Sequence, residues 1–95
     1  MKKFIANNVF TVTGELPVYI SGMIVDGVIK IGDYLHSPIN ASSNLKGKIT
    51  SIEFADGKYD SFTCIGLECN SPYDQKTWLD INIKQGDTLE ISENT

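Results

Sequence analysis

Gly22-Met23-Ile24-Val25-Asp26-Gly27-Val28-Ile29-Lys30-Ile31-Gly32-Asp33-Tyr34-Leu35 has the pattern of a β-hairpin. Two runs rich in β-branched residues flank Asp26-Gly27, a pair that favours a two-residue turn of the I′ type, with positive φ at both positions. That turn sets Val25 opposite Val28, Ile24 opposite Ile29, Met23 opposite Lys30 and Gly22 opposite Ile31. The register predicts Val18, Ile20, Ile24, Ile29 and Ile31 on one face. Tyr19, Ser21, Lys30 and Gly32 fall on the other. One apolar and one mixed face is what a strand pair with one side on a core requires.

One residue does not fit. The same pairing places Asp33 on the apolar face opposite Ile20, and a lone buried carboxylate is costly. Gly32-Asp33 is therefore expected to form a bulge or corner, after which Leu35 turns back inward. Gly86-Asp87-Thr88-Leu89-Glu90-Ile91 repeats the pattern at the end of the chain, with Leu89 and Ile91 predicted inward and Thr88 and Glu90 outward. Between these lie a strand over 48–54, which needs a bulge between Ile49 and Ile52, and a strand over 62–69 with Ile65, Leu67 and Cys69 on one face. A short strand is expected over 78–83. Residues 37–44 and 70–76 read as loops, the second because Pro72 is excluded from a central strand. Apolar residues recur at spacings of two and no helix is predicted. Turn signals at short intervals, among them Gly14, Leu16-Pro17 and Asp56-Gly57, indicate an all-β sandwich or barrel.

The chain has 95 residues, enough for one domain over 1–95 and too few for two cores. Asp and Glu outnumber Lys and Arg by 12 to 8, a net charge of −4. General nucleic-acid binders carry a basic excess, so this balance disfavours that class. The opening Met1-Lys2-Lys3-Phe4-Ile5-Ala6-Asn7-Asn8 is too short in apolar residues for a signal peptide, which needs about 7–15 of them, and a soluble, cytoplasmic protein is expected. Cys64 and Cys69 are five apart, an odd offset that points strand side chains to opposite faces. Two free thiols are expected, not a disulfide. His36 is the single histidine, so no metal site or cofactor motif is assembled.

Phe10-x-Val12-x-Gly14, Val18, Gly22-x-Ile24-x-x-Gly27-x-Ile29-x-x-Gly32-Asp33-x-Leu35, Lys48-Ile49-x-x-Ile52-Glu53-Phe54 and Ile83-x-x-Gly86-Asp87-x-Leu89 together resemble the second domain of translation GTPases of the elongation factor Tu type. The match runs from Phe4 to Ile91. It implies a small, closed or partly closed antiparallel β-barrel of about six strands, standing alone, because no Gly-x-x-x-x-Gly-Lys-Ser/Thr loop occurs. The chain departs from the family at Gly14-Glu15-Leu16-Pro17, where a Gly-Arg-Gly-type turn is usual. Members use this barrel to pack against the GTPase domain and to contact transfer RNA or the ribosome. Those are roles of surface loops, whereas the shared positions are core and turn positions, so architecture transfers and ligand does not.

A catalytic constellation is absent. His36 has no Gly-x-Ser-x-Gly partner and reads as a polar residue at a strand end. Asp26, Asp33, Asp56 and Asp87 each adjoin glycine and are explained by turn chemistry. Cys64 lacks an electropositive neighbour that would activate it. Three features could mark a surface. Tyr73, Trp78 and Tyr59 are aromatic anchors of the kind that dominate interfaces, with Trp78 alternatively closing one end of a barrel. Lys46 and Lys48, with Lys30 nearby, are either a phosphate site or a solvated face. The turn over 14–18 exposes Leu16 and Pro17 unless the barrel folds over them. The favoured reading is a non-enzymatic binding module with a protein partner. The alternatives are an RNA- or ribosome-associated accessory protein and a small ligand-binding barrel with its pocket near His36 or Trp78. Homo-oligomerisation stays open, because an incompletely closed barrel leaves edge strands that a second copy can pair.

Overall fold

Residues two apart alternate between interior and surface along most of the chain, and their alternation builds a barrel. The computed structural model describes residues 2–38, 41, 44–56 and 61–93. Its elements are β1 (Lys2–Thr11), β2 (Val18–Asp26), β3 (Tyr34–His36), β4 (Lys46–Asp56), β5 (Ser61–Leu67), α1 (Pro72–Asp80) and β6 (Thr88–Ser92). The six strands close in the order β1-β2-β5-β4-β3-β6, and every pair is antiparallel. The interior is filled by Phe4, Val18, Ile20, Leu35, Ile49, Ile65, Leu67, Leu89 and Ile91, all fully buried or nearly so. Each such side chain contributes on the order of 1.5–3 kcal/mol by leaving water. Closure leaves no free sheet edge among these strands, so pairing of edges is not a route to self-association here.

The Gly22–Leu35 hairpin does not form. β2 is already flanked by β1 and β5, with Ile24 opposite Phe4 and Ile20 opposite Ile65. β3 lies on the far side of the barrel, between β4 and β6. Asp26-Gly27 is not a type I′ turn, since Asn82 is the only non-glycine residue with positive φ among those described. Residues 27–33 instead cross one mouth of the barrel. Ile29 drops into the core, and Ile31, expected inward, is 66% exposed. The misfit of Asp33 marked the fault. Asp33 is buried at the far end of the crossing, where Lys2 Nζ reaches its carboxylate at 2.7 Å and the Lys30 backbone N–H donates to it at 2.9 Å. The expected corner is there: Gly32 has φ +100°, and Leu35 returns to full burial.

The recurrence at Gly86-Asp87 is a structural repeat. Ile29-Lys30-Ile31-Gly32-Asp33-Tyr34-Leu35 and Ile83-Lys84-Gln85-Gly86-Asp87-Thr88-Leu89 share Ile, Lys, Gly, Asp and Leu in register. Asp87 accepts from the Lys84 N–H at 2.8 Å, as Asp33 does from Lys30. Gly32 N–H donates to Ile49 O and Gly86 N–H to Ala6 O, each at 2.8 Å. Ladder bulges follow at matching places, between Ile49 and Ser51 and between Ala6 and Asn8. Exchanging β1 with β4, β2 with β5 and β3 with β6 leaves the strand order unchanged. The barrel is thus two similar halves, each a long hairpin followed by a connection across a mouth and a short strand.

The halves differ in that connection. Between β5 and β6 it carries α1, where a loop and a strand over 78–83 were expected. The local chemistry for a helix is present in the chain. Ser71 Oγ accepts from the Asp74 N–H at 3.3 Å as N-cap, and Pro72 takes the first helical turn, a position where its missing N–H costs nothing. Asp74 in turn accepts from the Asn70 N–H at 2.9 Å, and Lys76 pairs with Asp80 at 2.8 Å. Trp78 points from this helix into the barrel mouth and is only 6% exposed. Gly47 faces the same space: a Cβ there would stand 2.7 Å from the indole Cζ2 and 3.4 Å from Leu67 Cδ1. The missing side chain at Gly47 is what lets the indole close the barrel.

Candidate functional site

Gly47 and Ile49 point into the barrel on β4, so Lys46 and Lys48 point out of it. Both are exposed. Tyr34, the partner of Lys48 in the β3–β4 ladder, stands on the same outer face, and Lys46 Nζ lies 4.3 Å from its ring centroid. That separation is within the range of a cation–π contact. On α1, residues 73, 74, 77 and 78 follow helical spacing. They turn Tyr73, Asp74, Thr77 and Trp78 toward β4, and Glu68 and Asn70 complete the wall as the chain leaves β5. The result is an open cleft of about 520 Å³ between β4 and α1.

Four of the five sequence-predicted residues meet in this cleft: Lys46, Lys48, Tyr73 and Trp78. Their parts differ. Trp78 is the floor, held by the core, and does close the barrel end. Tyr73 is 78% exposed at the rim, an unusual setting for so large a ring. Tyr59 lies outside the described residues. Lys30 does not join the two lysines: it lines a separate hollow of about 630 Å³ at the opposite mouth, with Lys2, Asp26, Val28, Ser92 and Glu93 among its neighbours. His36 is turned to the β6 side, its Nε2 2.7 Å from Ser92 Oγ. The turn over 14–18 is partly covered, because the Gln75 side-chain amide donates to the carbonyls of Glu15 at 3.0 Å and Leu16 at 3.3 Å. These two bonds tie α1 to the β1–β2 hairpin and hold the cleft's outer wall.

Tyr34, Glu68, Asn70, Asp74 and Thr77 were not legible as site residues. The run Ser71-Pro72-x-Asp74 was the signal that could have found three of the cleft's side chains. A residue that caps, proline in the first turn and an acid at N3 mark a helix start, and the helix brings Tyr73, Asp74 and Thr77 into line.

The cleft is electrically mixed. Two lysines on β4 face Glu68 and Asp74, so its charges balance. No group in it is a nucleophile with an adjacent base. Among the described residues no cluster of three or more His, Cys, Asp or Glu could hold a metal ion. Cys64 and Cys69 are free. Burial pushes both thiols above their ordinary range; for Cys64 the nearby Glu53 adds to this, for Cys69 a backbone hydrogen bond from Val18 opposes it. Thiols so placed are poor nucleophiles at neutral pH. No described helix is long and apolar enough to cross a membrane.

No protein-family model matches the chain, and no curated protein or solved structure matches it. The cleft's own geometry is therefore the ground for a functional reading.

Proposed function

We propose that this chain is a barrel of the translation-protein type that acts as a non-enzymatic binding module, and that its β4–α1 cleft docks a segment of a partner protein. The observation that carries this reading is the convergence of Tyr34, Lys46, Lys48 and Tyr73 around a floor made rigid by Trp78. Aromatic rings supply contact area with few torsions to freeze. Lysines and carboxylates in equal number suit a polypeptide, which presents both signs. A nucleic-acid backbone presents one sign, and Glu68 and Asp74 would repel it.

The test compares the native chain with Tyr73→Ala and Lys46→Ala in affinity capture from extract of the host organism at physiological salt. A protein retained by the native chain and lost from both variants is the expected outcome. Capture that is equal for all three, or no specific partner, refutes the reading. A fluorescence titration with transfer RNA at low salt separates the alternative: steeply salt-dependent binding that vanishes with Lys46→Ala and Lys48→Ala would replace the protein reading by an RNA one.

A further inference from the structure

The two mouths of this barrel are built alike but finished differently. Antiparallel strands place the start of β1 and β5 and the end of β2 and β4 at one mouth. The connection over 68–87 crosses the other mouth, and there α1 covers the apolar interior with Trp78. At the first mouth the equivalent connection, over 27–33, is too short to hold a helix. Ile29 plugs the opening, and Val28 and Ile31 on either side of it are 69% and 66% exposed. Phe54 continues the inward-facing row of β4 beyond Ile52, opposite buried Thr63, and emerges at this rim 77% exposed. Met23, Val25 and Phe62 carry the apolar surface down the adjoining wall of β2 and β5, with Gly22 paired to Thr63 one step below.

We propose that this mouth is the interface of a symmetric homodimer, in which the same surface of a second copy supplies the cover that α1 supplies at the other end. Three observations favour a second copy as the occupant. The six exposed side chains, three at the mouth and three on the outer face of the wall beside it, present on the order of 600–700 Å² in total, against roughly 300–600 Å² for an ordinary monomer's largest contiguous apolar patch. It approaches the ~800 Å² per partner of a stable interface. The large exposed side chains at the opening, Val28, Ile31 and Phe54, are apolar, the composition that marks homodimer interfaces rather than wetter, transient ones. The exposed charges around it among the described residues, Lys3 and Lys30 against Asp26, Glu53 and Glu93, include both signs. A twofold axis can therefore set unlike charges together although each chain carries −4 overall.

Sedimentation equilibrium of the whole chain at about 10–100 µM and physiological salt tests this. Twice the monomer mass is expected for the native chain, with association weakened about tenfold or more in Phe54→Lys and in Ile31→Lys. Both side chains are surface-exposed, so folding should survive the change, and circular dichroism with a thermal melt verifies it. Tyr73→Ala, at the opposite end, should stay dimeric. A native chain that sediments as a monomer at 100 µM overturns the proposal, as it would if the mouth served an unrelated partner. Dimers that persist in both folded lysine variants overturn it equally.

Discussion

Substituting Gly47→Ala tests whether Trp78 seals the barrel as described. The new Cβ would lie 2.7 Å from Cζ2 of the indole and 3.3 Å from Cε2, about 0.7 Å short of the 3.4 Å at which ordinary contact begins. Leu67 stands behind at 3.4 Å, so the methyl cannot retreat. Either the indole tilts, dragging α1, or β4 bows. Overpacking of this kind costs roughly 1–3 kcal/mol. Replacing glycine within a strand returns something like 0.5–1 kcal/mol of backbone entropy. The net expectation is a loss of up to about 2.5 kcal/mol, which for a domain of this size lowers the melting temperature by as much as roughly 10–20 °C. Trp78→Leu alone should cost more, about 2–4 kcal/mol, because it vacates the mouth. The informative variant is the pair. With the indole gone the alanine methyl has room, so Gly47→Ala should be neutral or stabilising in the Trp78→Leu background. The double mutant should then be more stable than the two separate losses predict, by about 1 kcal/mol or more. Urea unfolding of the four proteins measures this. Additive losses would show that the indole does not occupy the space Gly47 leaves, and the account of the sealed mouth would fall with it.

Other outcomes follow from single contacts. Ser71→Ala removes the N-cap of α1 and should cost about 1 kcal/mol. Ser71→Asp should restore most of it in the same melt, and equal loss in both would disprove the capping role. Gly86 has φ +94° with open space around its missing Cβ, so Gly86→Ala should cost about 1–2 kcal/mol from backbone strain alone, and Gly86→Asn distinctly less. Identical losses would show that the left-handed corner is not the cause. Stability should also fall in alkali. Lys2 holds its proton more tightly in the fold because of its hydrogen bond to Asp33, Tyr19 because of its hydrogen bond to Glu15, and Cys64 and Cys69 because of burial. Each of these groups has a folded pKa raised above its unfolded value. Each therefore contributes stability that is complete below that unfolded value, from 9.0 for the thiols to 10.5 for Lys2, and lost as pH rises through the folded one. Urea midpoints at pH 8, 9 and 10.5 should decline in order, and a midpoint that climbs over this span would contradict the assignment.

The internal repeat gives the fold a simple logic. Each half needs a charged residue at the corner where its connection joins its short strand, because the aspartate satisfies a backbone N–H that the tight turn leaves unpaired. Asp87 does this near solvent. Asp33 does it inside the protein and so needs Lys2 as a counter-ion. The first strand, whose two lysines resemble the start of a targeting segment, is in this way bound into the barrel's electrostatics.

Local chemistry alone determined much of this protein. Two-residue periodicity and β-branched composition specify strands. Glycine followed by aspartate specifies the corners at 32–33 and 86–87, since few other pairs tolerate the backbone and satisfy it. The phase conflict between Ile49 and Ile52 specifies a bulge, and one is there. Only the tertiary structure decided which strands pair. Ile24 suits Phe4 as a neighbour as well as it suits Ile29, and nothing local distinguishes a turn that folds back from a chain that crosses the mouth of a barrel. The same holds for α1, whose nine residues are too few to be stable by themselves. It exists because Trp78 finds a mouth to fill and Gly47 leaves it room. The cleft that gathers Lys46, Lys48 and Tyr73 is a consequence of that docking, made by residues about thirty positions apart that no pattern along the chain connects.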